Sequence, residues 1–280
     1  MRHFAVLGSP IEHSLSPVLH ETAYRILGFD ADYVRAEVRS GELAAFVDGL
    51  DADWGGLSLT MPLKREVMPL LDEVSPLAER LGVANTLVFE TSETGVRRLA
   101  GHNTDVDGIV RAIRSLHDVS PSHATILGGG ATAASALAAA AALGATSATL
   151  HLRDTSRGGD VAALAGVLGV ALTVEPLAAV GDSGIHDFVI STLPGGVAVP
   201  DLIPEKPTSV LLDVAYDPWP SPLARAWEAR GGSAVSGLDM LVEQAIGQIR
   251  LFTGRAQDRE LPDEPAIRRA LRDSVGLPVD

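Results

Sequence analysis

The sequence predicts a layered α/β fold in two domains, and three observations carry that expectation. Short apolar runs alternate with helical patterns along most of the chain. Hydrophobic residues make up 46% of the 280 residues but aromatics only 4%, so the interior must be built from Ala, Val and Leu, which suits helices packed on parallel strands. The stretch Ala124 to Asp154 reads as one strand–turn–helix–strand unit. A chain of this length has room for about two buried cores.

Taken in order, Phe4 to Leu7 is the first strand, and Gly8-Ser9-Pro10 turns out of it. Pro17 opens an amphipathic helix with Leu19, Ala23, Ile26 and Leu27 on one side. Ser14 and Ser16 stand just before it, either to bind a polar ligand or to cap the helix. His13 and His20 read as surface or capping residues. Tyr33 to Glu37 is the next strand and Leu43 to Leu50 a helix. A third strand, Gly55 to Leu59, delivers Ser58, Thr60, Pro62 and Lys64 into a loop. A lysine just past a strand end is placed to face a crevice of an open sheet, or is a solvated charge like its neighbour Arg65. Asp72 to Leu81 reads as helix, and Gly82 to Phe89 as a loop entering a strand with Asn85 and Thr86 at its mouth. A hairpin follows over Glu90 to Arg98, and then Asn103, Thr104, Asp105 and Gly108 precede a helix. Asp105 is a good N-cap candidate on its own terms.

The central unit has apolar strands at Ala124–Leu127 and Ser147–Leu152 around an uncharged, alanine-rich helix, Thr132–Leu143. Its turn reads G-x-G-x-x-A at Gly128, Gly130 and Ala133. Gly128 allows a tight exit from the strand, Gly130 lets a pyrophosphate approach the backbone, and Ala133 keeps the helix close to the sheet. The free amides and dipole at the helix start favour phosphate there. This is the signature of a dinucleotide-binding, Rossmann-like domain. At the end of the second strand an NAD site carries an acid. Here Arg153 and Arg157 stand instead, and two guanidinium groups suit the extra 2′-phosphate of NADP. Asp154 beside them could bond a ribose or pair with an arginine.

Beyond the unit, Phe188–Ser191 and Val210–Val214 are strands; Thr192 and Tyr216 follow their ends. Ser221-Pro222 opens a helix over Leu223–Arg230. Ser236 to Gly254 is a long helix with Met240, Gln244 and Gln248 on one face, each glutamine open to a ligand contact or a packing bond.

Composition narrows the function. The formal net charge of −14 repels polyanions, so nucleic acid is not an expected partner. With no cysteine, disulfides, thiolate zinc sites and cysteine nucleophiles are out, and no metal site is expected. No apolar run suits a membrane span, and MRHFAVLGSP enters a strand directly, so the expected location is the cytoplasm.

The ordered set SLSP, SLTMPLK, GVANTL, NTDVDG, GGGATA, YDPWPSPL and GLDMLVEQA resembles the shikimate dehydrogenase family, most nearly its actinobacterial type, from Gly8 to Gly254. The resemblance implies an NADP-dependent oxidoreductase that interconverts 3-dehydroshikimate and shikimate in aromatic amino acid (chorismate) biosynthesis. It implies a substrate-binding domain over 1–105 plus 238–280, a dinucleotide-binding domain over 106–237, and an active site in the cleft between them. Lys64 and Asp105 would be the catalytic pair. Ser14, Ser16, Thr60, Asn85, Tyr216 and Gln244 would bind substrate. Gly128, Gly129, Gly130, Ala131, Thr132 and Ala133 would cradle the pyrophosphate, with Arg153 and Arg157 on the 2′-phosphate and Thr192, Gly237 and Met240 along the nicotinamide. The small-molecule substrate is the expected partner, with a homodimer as an option. Ser58 replaces the Asn usual in the family, and Leu152 and Asp154 depart from the usual residues beside Arg153. Those departures keep NAD open, and with it an NAD-linked quinate/shikimate dehydrogenase. A non-catalytic NADP-binding sensor is the alternative from another class.

Overall fold

Strand β1 (Arg2–Gly8) is apolar on both faces, with Phe4, Ala5, Val6 and Leu7 all buried, a pattern that belongs inside a sheet rather than at its edge. In the computed structural model it runs parallel to β2 (Ala31–Glu37) on one side and β3 (Trp54–Leu59) on the other. Strands β4 (Glu73–Val74), β5 (Thr86–Thr91) and β6 (Arg97–His102) complete a mixed six-stranded sheet, ordered β2-β1-β3-β5-β6-β4, in which β5 is antiparallel to both neighbours. The structure describes residues 1–91 and 96–279, and the turn of the expected Glu90–Arg98 hairpin lies outside them.

This sheet belongs to the first of two units, Met1–Asp105 together with Leu241–Asp280; the second is Val106–Met240. Helix Gly237–Phe252 brings the chain back to the first unit. Its Phe252 ring lies 4.7 Å from that of Phe4, over Gly56, where a Cβ would come within 2.6 Å of the ring. Helix Glu264–Ser274 is tied to the long helix by a buried pair: Arg250 donates Nε–H to Glu264 Oε2 (2.8 Å) and Nη2–H to Oε1 (2.5 Å).

Three local expectations change. The helix foreseen over Asp72–Leu81 is only Pro76–Leu81, because Glu73–Val74 pairs with Ala100–Gly101. Pro76 disfavours helix in the residue before it and suits a first turn, and Ser75 Oγ caps that turn by accepting from Ala78 N–H (3.4 Å). Gly108 lies inside helix Asp105–Leu116 rather than before it. At helix Ser16–Leu27 the N-cap is Leu15, so neither serine fills it, although Ser14 Oγ does accept from Ser16 N–H (3.3 Å).

The second unit has a wholly parallel sheet of β7 (His123–Leu127), β8 (Ser147–Leu152), β9 (Ala171–Pro176), β11 (Phe188–Ser191), β13 (Val210–Asp213) and β14 (Ser233–Ser236). The short strands β10 (Ile185–His186) and β12 (Ile203–Pro204) pair apart from it. The order β14-β13-β11-β7-β8-β9 is that of two mononucleotide-binding halves, with the strand order reversing between β7 and β11, where ligands of such sheets bind. Helix Ala131–Ala142 follows β7, and residues Ala133 to Ala140 are all buried; small side chains let it lie close to the sheet.

The two kinds of ion pair in the first unit should separate in denaturation. Glu264→Ala strands a buried guanidinium and is expected to cost about 3–5 kcal/mol. Glu73→Ala breaks a half-exposed pair with Arg98 (2.6 Å) and is expected to cost less than about 1 kcal/mol. Urea melts of both variants check the contrast.

Candidate active site

Lys64 stands on a single helical turn, Leu63–Glu66, rather than in open loop. Leu63 and Val67 anchor that turn in the core, and Ala84 N–H donates to Lys64 O (3.0 Å), tying it to the segment that carries Asn85. The anchoring separates Lys64, 8% exposed, from its partly exposed neighbour Arg65. Asp105 is the first residue of its helix and is 0% exposed. Lys64 Nζ donates to Asp105 Oδ2 at 2.6 Å. The two residues, 41 apart in sequence, form a buried ion pair.

Asn85 holds the other side of the carboxylate. Its Nδ2 donates to Asp105 Oδ1 (2.8 Å), with Thr104 Oγ1 (2.9 Å) and Gln244 Oε1 (3.1 Å) also in reach. Its Oδ1 accepts from Thr104 N–H (2.8 Å) and Thr86 Oγ1 (2.9 Å). Two amide protons face three acceptors, and only Gln244 among these acceptors is partly exposed; its carboxamide is the one that can turn to another partner. Gly247 lets the long helix come this close, since a Cβ there would lie 3.1 Å from Thr104.

A second buried layer adjoins the first. Gln248 Oε1 accepts from Ser58 Oγ (3.0 Å) and His20 Nε2 (3.2 Å), and Gln248 Nε2 donates to Asn85 O (3.4 Å). His20 is 0% exposed and stacks on Tyr33 with ring centroids 3.9 Å apart. This corrects the expectation of a surface or capping histidine: the apolar face of its helix carries it inward, and Gln248 satisfies it there. Burial lowers its pKa to about 3. Burial likewise pushes the Tyr33 hydroxyl well up; Ser16 and Ser58 oppose that, although neither reaches hydrogen-bond geometry with it. Ser14 and Ser16 lie within 3.3 Å of each other through their hydroxyls. Thr60 follows β3, its N–H bonded to Leu7 O (2.9 Å) and its methyl against Gly8.

The cofactor candidates lie in the second unit. Gly128, at φ +97°, leaves β7 where a Cβ would sit 2.7 Å from Thr192 Oγ1, and Thr192 Oγ1 donates to Leu127 O (2.8 Å). The turn and Thr192 thus meet at the strand-order reversal. A Cβ on Gly129 would meet Leu152, whereas Gly130, the N-cap, has nothing within 4 Å and leaves the start of helix Ala131–Ala142, with Thr132 and Ala133 in its first turn, open. Arg153 and Arg157 are exposed. Asp154 Oδ1 accepts from Ser156 N–H (3.1 Å) and Oγ (2.7 Å), capping the turn that follows, and these bonds hold its carboxyl below the usual range. Its carboxylate is engaged locally while two guanidinium groups face solvent. An open glycine cradle, a helix N-terminus and two exposed arginines fit a dinucleotide with a third phosphate. Tyr216 is half-buried in the loop after β13. Gly237, where a Cβ would strike Val214 O, opens the long helix, and Met240 is buried in its first turn.

Known proteins show the family. A family model described as the shikimate dehydrogenase substrate binding domain matches residues 6–87. A shikimate dehydrogenase (NADP(+)) from Moorella thermoacetica is 34% identical over 289 residues, covering 98% of this chain and 95% of the relative. The chain belongs to the shikimate dehydrogenase family. Of solved structures in that family, the Mycobacterium tuberculosis shikimate dehydrogenase is 37% identical with a TM-score of 0.78, covering 98% of this chain and 100% of that one. A Thermus thermophilus shikimate 5-dehydrogenase, solved in complex with NADP(H) and shikimate, is 29% identical with a TM-score of 0.79 over 98% of this chain and 100% of that one. Among the described residues no helix is long and apolar enough to cross a membrane.

The sequence alone does not show His20 as buried, and it does not show that Ser58, expected in the loop, lies buried within β3 or that Gln248 joins the two. Because folding lowers the His20 pKa from 6.5 to about 3, the unfolded chain takes up a proton that the folded chain refuses. His20 therefore costs no stability above about pH 6.5, and stability falls as pH drops from there toward 3, with a slope of about 1.4 kcal/mol per pH unit for one proton. Urea melts across that range should show the decline, and His20→Asn should flatten this contribution.

Proposed function

We propose that this chain is an NADP-dependent shikimate dehydrogenase that catalyses the reversible reduction of 3-dehydroshikimate to shikimate. The observation that carries the reading is the buried Lys64–Asp105 pair with Asn85 and Gln244 gathered on it. The relatives named above support the assignment of activity and cofactor.

NADPH, when bound, supplies hydride to the carbonyl carbon of the substrate. The protein answers the charge that this leaves on oxygen. The Lys64 ammonium stabilises the developing alkoxide and donates a proton to it, and in the reverse direction takes the hydroxyl proton. Asp105 holds the ammonium in place, and Asn85 fixes the carboxylate through its second oxygen. Ser14, Ser16 and Thr60 offer hydroxyls, and Asn85 and Gln244 offer amides, for the substrate carboxylate and ring hydroxyls; the family resemblance adds Tyr216 to the substrate-binding residues. On the cofactor side, Gly128 to Ala133 bind the pyrophosphate, Arg153 and Arg157 the 2′-phosphate, and Thr192, Gly237 and Met240 flank the nicotinamide. The substrate domain is 1–105 with 238–280 and the cofactor domain 106–237. A cytoplasmic location and a homodimer complete the reading.

Initial rates with shikimate and quinate, each against NADP and NAD, test the assignment. Shikimate with NADP is expected to dominate. Turnover of both acids with NAD would instead mark a quinate/shikimate dehydrogenase, and binding without turnover a sensor. Lys64→Ala should lower kcat roughly 100-fold or more with NADP affinity unchanged; near-normal turnover would remove Lys64 from the mechanism. Arg153→Ala should weaken NADP far more than NAD, and an equal loss for both would show that Arg153 does not read the phosphate.

A further inference from the structure

Part of one sheet face in the second unit is polar where a helix-covered parallel sheet is normally apolar on both faces. Side chains alternate along a strand, and paired residues of parallel neighbours share a face. Ala124, Ile126, Ala148 and Leu150 form one face of β7 and β8, all buried. His123, Thr125, Ser147, Thr149 and His151 lie on the other, with Leu127 beside His151 at its end. His186, on β10, joins that polar face through a hydrogen bond with Thr125 Oγ1 (3.0 Å). His123, Thr125, Thr149, His151 and His186 help to wall a cavity of about 300 Å³, which Asp187 and Glu205 also line, at the lower end of the size range of small-molecule sites. No wall residue belongs to the Lys64 cluster, the glycine turn or the arginines.

The hydrogen bonds fix what each imidazole offers. His186 Nε2 donates to Val180 O (3.3 Å), so its Nδ1 accepts from Thr125. Ser147 Oγ donates to Ser122 O and therefore accepts from His123 Nδ1 (2.9 Å), so His123 Nε2 accepts from Thr149 Oγ1 (3.3 Å). His151 donates Nδ1–H to Pro176 O (3.2 Å). Its Nε2 is then a bare acceptor, and this atom is buried without a hydrogen-bond partner in a residue 0% exposed. An unmet buried acceptor is costly and calls for a donor. Burial lowers the pKa of all three imidazoles, and His151 lowers those of His123 and His186 further, so the cluster is neutral near pH 7. The charged groups around it are Glu175, whose charge acts on His151, Glu205, and Asp187, which Lys206 Nζ (3.1 Å) and Ser209 Oγ (3.1 Å) hold.

Such a site selects by chemistry. An anion supplies acceptors where a donor is wanted and meets carboxylates at the wall. A metal ion needs several converging ligands, and among the described residues no group of three or more His, Asp or Glu is so placed. A hydroxyl can donate to His151 Nε2, and further hydroxyls of the same molecule can donate to the lone pairs left on Thr125 and Thr149 Oγ1, whose own protons are already engaged. We infer that this cavity binds a small, neutral, polyhydroxylated molecule, one of whose hydroxyls is donated to His151 Nε2. The site shares no residue with the Lys64 cluster.

The test is a titration of the intact protein with myo-inositol and with sorbitol, followed by the ¹H–¹⁵N signals of the histidine rings. Inorganic phosphate, putrescine and Zn²⁺ are titrated in parallel. The inference predicts a saturable shift of the His151 ring with at least one polyol, at a Kd of about 1 mM or tighter, and none with the other three. His151→Leu should abolish polyol binding, read by calorimetry, while leaving shikimate turnover unchanged. Thr149→Val should weaken it about threefold or more by removing a wall hydroxyl, and carries the test if His151→Leu does not fold. No saturable shift with either polyol, binding undiminished in the variants, or saturable binding of phosphate, putrescine or zinc in their place would overturn it.

Discussion

The buried ion pair between Lys64 and Asp105 is the constraint on which the first unit depends. Two charges 2.6 Å apart, 8% and 0% exposed, have lost most of their water, and attraction alone does not offset that loss unless every remaining lone pair and proton is placed. The surrounding sequence supplies that placement. Asn85 fills the second carboxylate oxygen, Thr86 and Thr104 fix the Asn85 carboxamide, and the turn carrying Lys64 is bonded to Ala84 next door. Removing any one of these leaves a charge or an amide unmet in a low-dielectric site. In the proposed function the same low dielectric strengthens the ammonium against a developing alkoxide, so what makes the cluster expensive to fold is also what suits it to that role.

The second unit solves a different problem, that of holding a polyanion on a chain with a net charge of −14. It does so locally. A glycine without neighbours at the helix start exposes backbone amides, and two arginines face solvent at the end of β8. The neighbouring acid is turned away: Asp154 spends its hydrogen bonds on Ser156. Screening over about 8 Å at physiological salt keeps the distant acids from cancelling these few groups.

Much of this was legible in the sequence because it rests on local patterns. The strand–glycine–helix–strand unit, the helix opened by Ser221-Pro222, and the strands β1, β2, β3, β11 and β13 follow from periodicity and turn chemistry. Local reading also kept Lys64 and Asp105 in view but could not separate either from its ordinary alternative. What brings them together is a pairing across 41 residues, and no local pattern carries it. His20 was misread for the same reason: its partner Gln248 is 228 residues away, and a histidine on a helix looks like surface until something buried meets it. The helix over Asp72–Leu81 failed on Pro76, whose effect on the residue before it outweighed the apolar spacing. The polar face of β7 and β8 was readable as an alternation of His and Thr in two paired strands, but only their register puts His123, Thr149 and His151 together.

The central claim is that Lys64 and Asp105 act as one unit. The most direct measurement is a double-mutant cycle on kcat with Lys64→Ala, Asp105→Asn and both together. A functional unit gives strong non-additivity, with the double variant scarcely slower than the more damaged single one. If the two losses in kcat simply multiply, the residues contribute independently and the ion pair is not the catalytic element.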